Sequence, residues 1–436
     1  MKSIARKSLA GLMLLAALAV TIQLAAQDQV HNQKNNRYSV KDLGSLGGTS
    51  SSAYGINNKG WVTGAANLEG DQTEHAVLWR DGITTDLGTL GGPNGSAGFP
   101  FKNDRGLIAA FGQTSTPDPL GENWNFYCSL NGNLCEGTNL IQRGFLWVDG
   151  RKTAMPTLGG NNGSASGVND WGQAVGWAEN DTVDPNCIAP QVLDYKAVIW
   201  NPWTHKIREL PAFPGDSVAG ALAINDYGQV VGTSGSCAPI SPAIGVHPVL
   251  WENGRVTNLG SLGGVTSNVA YGINNRGQVV GISDLPGDAT AHAFFWQDGT
   301  MSDLGTLPGD VFSVAFSINN KGRVVGESCD ANFNCRAFLW QNGFMVDLNT
   351  LSPSDSSLYL LSANDLNDRD EIVGQAFEQS TGGAPAFLLQ PRHNGAEGAQ
   401  SGAQARDRVI LPESIREQLR QRRGFGRFGP GLMRPQ

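Results

Sequence analysis

Between Gly121 and Gly137 the chain reads GENWNFYCSLNGNLCEG, which sets Trp124, Asn125, Phe126 and Tyr127 beside Cys128 and Cys135. Aromatic faces stack on sugar rings or anchor a protein partner, and an amide both donates and accepts hydrogen bonds. These four residues are therefore the candidate binding residues; the competing account is that the rings merely cover an edge of the fold. No catalytic constellation accompanies them. The sequence has no G-x-S-x-G and no H-E-x-x-H, and its glycine-rich LGTLGG lacks the Lys-Ser/Thr of a phosphate-binding loop.

Other residues with chemical potential are better explained by structure. His75, His247 and His292 begin equivalent segments in separate repeats, which spreads them apart instead of converging them on a metal. Asp42, Asp86, Glu209, Asp303 and Asp347 precede glycine-rich crossings without the dense acidic pattern of a calcium loop, and are expected to cap backbone amides. Neither a metal nor a cofactor is expected. Cys128, Cys135, Cys187, Cys237, Cys329 and Cys335 are disulfide candidates. Proximity pairs Cys128 with Cys135 and Cys329 with Cys335; Cys187 and Cys237 are left over, in equivalent places of neighbouring repeats.

The elements that must position these residues repeat. From Ala270 to Leu307 the chain holds four short apolar runs, AYGIN, QVVGIS, HAFFW and MSDL, designated strands a to d. NNRG and QDG supply the Asn, Asp and Gly that tight turns need, so one copy is a four-stranded antiparallel meander. Its first turn recurs as INNKG, KNDRG, VNDWG, INDYG, INNRG, INNKG and LNDRD, with the leading asparagines from Asn57 to Asn367 lying 46, 66, 56, 49, 45 and 48 residues apart. Strand c ends on Trp in six copies and on Leu389 in the seventh, a residue expected to pack between units. The first run, YSVKDL, matches strand d, and the last, PAFLLQ, matches strand c. A ring is closed by that offset, whereas a linear solenoid gains nothing from it. The sequence thus predicts an all-β, seven-bladed β-propeller of four-stranded antiparallel blades over residues 38–390, closed by the N-terminal strand completing the last blade. Strand a should lie innermost, and an open β-solenoid is the alternative.

HAVLWRDG (His75 to Gly82) and HAFFWQDG (His292 to Gly299), together with DLGTLGG and GINNRGQVVG, resemble the extracellular HAF repeat proteins of bacteria across residues 38–390. The resemblance implies a secreted repeat protein and brings no established activity or catalytic residue with it.

Residues 1–26 read as an export signal, with Lys2, Arg6 and Lys7 before an apolar run and cleavage near Ala26. Residues 27–37 are an N-terminal linker. Residues 391–436 form a basic, largely disordered tail in which 412–423 can make a short amphipathic helix, and weak contact with an anionic envelope surface is a candidate role. The mature chain shows no membrane-spanning segment. The signal carries +3 and the last 46 residues +5, which leaves −16 of the net −8 on residues 27–390. Such an acidic body excludes nucleic acid as the partner. The expectation is a secreted or periplasmic, non-enzymatic binding propeller for an extracellular glycan or protein. A polysaccharide hydrolase or lyase on the same scaffold is the alternative, and a structural cell-surface or matrix component the second. All insertions and cysteines fall on the face formed by the b-to-c loops, where binding is expected.

Overall fold

The fold is known from a computed structural model that describes residues 38–100, 103–122, 138–187, 189–204, 206–237, 246–353, 355–392 and 408–423. The stretch from Ala270 to Leu307 forms strands Asn268–Ile273, Val279–Asp284, Ala291–Gln297 and Thr300–Asp303, paired in that order and antiparallel. Seven such sheets form the ring of a seven-bladed β-propeller. In the last of them Tyr38–Asp42 pairs with Ala386–Pro391, Val40 opposite Leu389, so the N-terminal strand closes the ring.

The c-to-d hairpins follow their sequence signal. Asp81, Asp149, Asn253, Asp298 and Asn342 all have positive φ, as do the glycines after them, which is the two-residue turn that matches strand twist. The tryptophan ending strand c packs on the preceding blade. Trp79 lies against Val373 and Leu388 of blade 7, Trp200 against Leu107 and Leu146 of blade 2, and Trp251 against Val175 and Ile199 of blade 3. This contact between blades, not ligand stacking, is what the repeated tryptophan provides.

Strand a carries a feature the alternation of small residues did not predict. Ala270 pairs with Gly281 and Gly272 with Val280, so Tyr271 is skipped; the same shift occurs at Tyr54, Leu222 and Phe316. These β-bulges turn large side chains towards the axis. They also explain the glycine of the VVG run in strand b. A Cβ at Gly281 would lie 2.0 Å from the Val269 carbonyl oxygen, and at Gly326 1.9 Å from that of Val314. Only glycine admits the bulged strand that closely. In blade 2 strand a, Gly91–Ala97, ends its pairing at Ala97 opposite Ala110, which holds the glycine position.

Within the tail, the short helix expected over 412–423 is present, and residues 408–423 pack on the ring. Helix α1, Glu413–Arg423, lies on the b-to-c side of blades 5–7, with Leu411, Ile415 and Leu419 buried against Val269, Phe312, Tyr359 and Phe377. The four-residue spacing of those three apolar residues lines up one face of the chain, which covers apolar ends of the inner strands. Arg408 pairs with Asp310 and Asp330, and the Leu411 amide donates to Asn334 Oδ1 at 2.9 Å.

Candidate functional site

The a-to-b turns surround the axis on the face opposite the tail. Asn57, Asn103, Asn169, Asn225, Asn274, Asn319 and Asn367 are all buried, and each donates Nδ2–H to the backbone carbonyl of the next, the last closing on Asn57, at 2.6–3.1 Å. Each Oδ1 accepts the amide proton four residues on in its own turn, and in every turn but that of Asn169 also the one two residues on, as Asn274 does from Arg276 and Gln278. A second ring sits beside the first. The amides of Asn58, Asp104, Asp170, Asp226, Asn275, Asn320 and Asp368 each donate to the side-chain Oδ1 of the next at 2.7–3.0 Å, again closing on Asn58.

Residues of the two rings from every blade but the second line a cavity of about 260 Å³ at the mouth of the channel. Aromatic rings of the inner strands meet across the axis: Phe99 of blade 2 contacts Phe316 of blade 6 edge to face at 6.3 Å, and Tyr271 adds a second contact on Phe316 at 5.7 Å. The mouth is acidic. Of the four carboxylates in the second ring Asp170, Asp226 and Asp368 line the cavity, and burial, with the flanking Asp226 and Asp104, holds Asp170 above the ordinary carboxylate range.

Outside these rings the third turn position projects into solvent. It is basic in five repeats, at Lys59, Arg105, Arg276, Lys321 and Arg369, and aromatic in two, at Trp171 and Tyr227. Among the described residues Trp171, Trp203, Tyr227 and Phe344 are exposed large aromatics, and the first three belong to turns of blades 3 and 4 on this face.

The opposite face holds a different group. Glu122, in the stem of blade 2's long insertion, and Glu179, on strand Ala174–Val183 of blade 3, are fully buried and hydrogen-bonded to each other. Glu122 Oε1 accepts from the amides of Val192 and Leu193, and Glu179 Oε2 from those of Asn161 and Asn162. Burial, then the neighbouring Glu122, pushes Glu179 up to about 8, and burial also raises Glu122. One proton shared between the two satisfies this geometry at neutral pH.

No family model matches the chain, and no curated protein is similar to it. Solved structures match it as folds. An acylaminoacyl peptidase in complex with Z-Gly-Gly-Phe-chloromethyl ketone is 13% identical with a TM-score of 0.46, over 82% of this chain and 52% of that one. The acylaminoacyl peptidase of Pyrococcus horikoshii is 13% identical with a TM-score of 0.43, over 76% and 50%. An oligogalacturonate lyase from Vibrio parahaemolyticus is 11% identical with a TM-score of 0.44, over 80% and 93%. The chain spans about half the length of the two peptidases. Likenesses this distant carry no residue role to this chain.

Of the residues expected to act, Trp124, Asn125, Phe126, Tyr127, Cys128 and Cys135 lie outside the described residues. Cys187 and Cys237, left over by proximity, form a disulfide that ties the b-to-c loops of blades 3 and 4, and Cys329 pairs with Cys335 as proximity suggests. His75 and His292 each contact an acid of the adjacent strand, Asp86 and Asp303, at 2.9 Å, while Arg336 fills the same role towards Asp347 at 3.1 Å. Asp42, Asp86, Asp303 and Asp347 accept the backbone amide two residues on, the expected capping. Among the described residues no helix is long and apolar enough to cross a membrane. Sequence reading missed the mouth and its aromatic neighbours. The signal lay in the third turn position, where two repeats exchange a cation for an aromatic ring.

Proposed function

We propose that this chain is a secreted, non-enzymatic binding propeller for an extracellular glycan or protein, of the HAF repeat type and exported by the signal in residues 1–26. One observation supports the reading above the others. The open cavity is bordered by amides and carboxylates already engaged with one another, whereas the strongly shifted carboxyl pair, Glu122 and Glu179, has no exposed surface on which to meet a substrate. Catalysis needs a titrating group within reach of the reacting atoms, and the sealed pair lacks that reach. The two disulfides among the described residues fit an oxidising compartment. Trp124, Asn125, Phe126 and Tyr127 remain candidate contacts on the insertion-bearing face.

A glycan array and a pull-down from envelope extract, run beside an assay for newly formed sugar ends, test this reading. Ligand retention without turnover is the expected result; a protein that captures nothing in either format contradicts it. The hydrolase or lyase reading draws on Asp170, whose raised carboxyl stands between two others at an open mouth. Turnover of a polysaccharide that disappears in Asp170→Asn would establish that reading instead.

A further inference from the structure

Trp171, Trp203 and Tyr227 are 61%, 68% and 77% exposed, and they are neighbours by construction. Trp171 and Tyr227 hold the same position in the adjacent turns VNDWG and INDYG. Trp203 comes from the c-to-d connection of blade 3, the connection in which NPWTHK replaces the two-residue Asp-Gly or Asn-Gly turn. There Asn201 Oδ1 accepts from the amides of Trp203 and Thr204, an Asx turn that fixes the loop.

The two indoles are held in place before any ligand arrives. Trp171 Nε1–H donates to the Asp226 carbonyl at 2.9 Å, which lays the indole across the next turn. Trp203 Nε1–H donates to the Trp171 carbonyl at 3.3 Å, and its ring rests over Gly172, where a Cβ would come within 2.9 Å of Nε1. Gly172 has positive φ and no side chain, so the indole can lie flat on the turn. The Arg105 guanidinium stands 5.5 Å from the Trp171 ring.

Apolar rings kept at the surface in fixed orientation have no packing role to explain them. Ordering them costs nothing further on binding, which favours affinity. The two indole N–H groups are tied to backbone, Tyr227 stands exposed beside them, and the exposed ring surface is of the kind that stacks on the C–H face of a pyranose ring. Arg105, beside the Trp171 ring, offers donors for sugar hydroxyls. Carboxylates between the rings and the axis oppose a polyanion. We infer that Trp171, Trp203 and Tyr227 form a preorganised stacking platform for a neutral pyranose oligosaccharide on the turn face of blades 3 and 4. The inference rests on the binding reading and specifies its ligand and place.

Calorimetric titration of the full chain with cello-, manno- and xylo-oligosaccharides, with oligogalacturonate as the anionic comparison, tests it. At least one neutral series is expected to bind. Trp203→Ala and Tyr227→Ala should each weaken it about tenfold, in line with roughly 1 kcal/mol or somewhat more per lost stacking contact, without moving the thermal midpoint. Phe344→Ala, an exposed ring in the c-to-d hairpin of blade 6, should bind like the parent, and the double variant Trp124→Ala/Tyr127→Ala probes the opposite face. Neutral sugar binding that survives both platform substitutions but is lost in the double variant would overturn the platform while leaving glycan binding intact. A preference for oligogalacturonate would overturn the neutral class. Absence of any carbohydrate binding would overturn the platform, and the pull-down then decides separately whether a protein ligand sustains the binding reading.

Discussion

At the first position of every a-to-b turn an asparagine does two things that no other side chain combines at that length. Its Oδ1 caps its own turn, and its Nδ2–H reaches the next repeat; in blades 3, 4, 5 and 7 the second amide proton goes to Gln173, Gln229, Gln278 and Glu371. Aspartate can do the first and not the second. At the following position only an acceptor is required, which is why Asn and Asp alternate there freely. The sequence pattern, invariant Asn then Asn or Asp within one chain, was legible, but its reason was not, because the partner of each amide lies 45 to 66 residues away and in one case 310. Asn274→Asp should therefore destabilise the fold by roughly 1–3 kcal/mol, since it sets an acceptor against the Asn319 carbonyl in a buried site. Asp170→Asn, which removes a carboxylate from between two others, should leave stability equal or higher. Urea unfolding of the two variants beside the parent measures both effects, and equal losses in the two would contradict the distinction between the rings.

Among the elements, strands b and c read correctly from their apolar runs and hairpin turns, because their surroundings on both faces are other blades and their turns are local. Strand a was placed innermost for the right reason, crowding, but its bulge was hidden: the skipped residue and the glycine opposite it look like ordinary alternation until the pairing is known. The insertion stem was harder. Glu122 and Glu179 are 57 positions apart in the sequence, and nothing local marks them as partners. Their contact joins blade 2's insertion to blade 3 and makes that junction sensitive to pH. The folded Glu179 carboxyl holds its proton to about pH 8, whereas its ordinary value is 4.5. Between those values the folded state binds a proton the unfolded chain has released, so stability falls as pH rises and levels off above about 8. Within that window the slope approaches about 1.4 kcal/mol per pH unit for one proton. Glu179→Gln keeps a hydrogen-bonding group against Glu122 and removes the titration, so its stability between pH 5 and pH 8 should decline less than the parent's. Unfolding free energies measured across that range in both proteins would contradict the shared proton if the two curves ran parallel.

For the whole molecule the offset of chain ends was enough to foresee a closed ring, since the missing strand of the last blade is supplied by Tyr38–Asp42. The ends also change which face is available. Residues 408–423 cover part of the insertion-bearing side and bury Leu411, Ile415 and Leu419 there, while the turn face keeps its cavity and its exposed rings. Sequence alone favoured the insertion-bearing face because length variation and cysteines gather on it. Those cysteines, among the described residues, join loops to one another, and the described acids of that face include a pair closed to solvent. The turn face combines rigidity with access: two closed hydrogen-bonded rings fix the positions from which Trp171 and Tyr227 project.

The most direct measurement is amide hydrogen exchange of the full chain with and without the neutral oligosaccharide that binds it most tightly. The account predicts added protection in residues 168–173, 201–206 and 224–229, with exchange in the stem at 118–122 and in helix α1 unchanged. Protection confined to the insertion-bearing face, with those three turns unaffected, would contradict it.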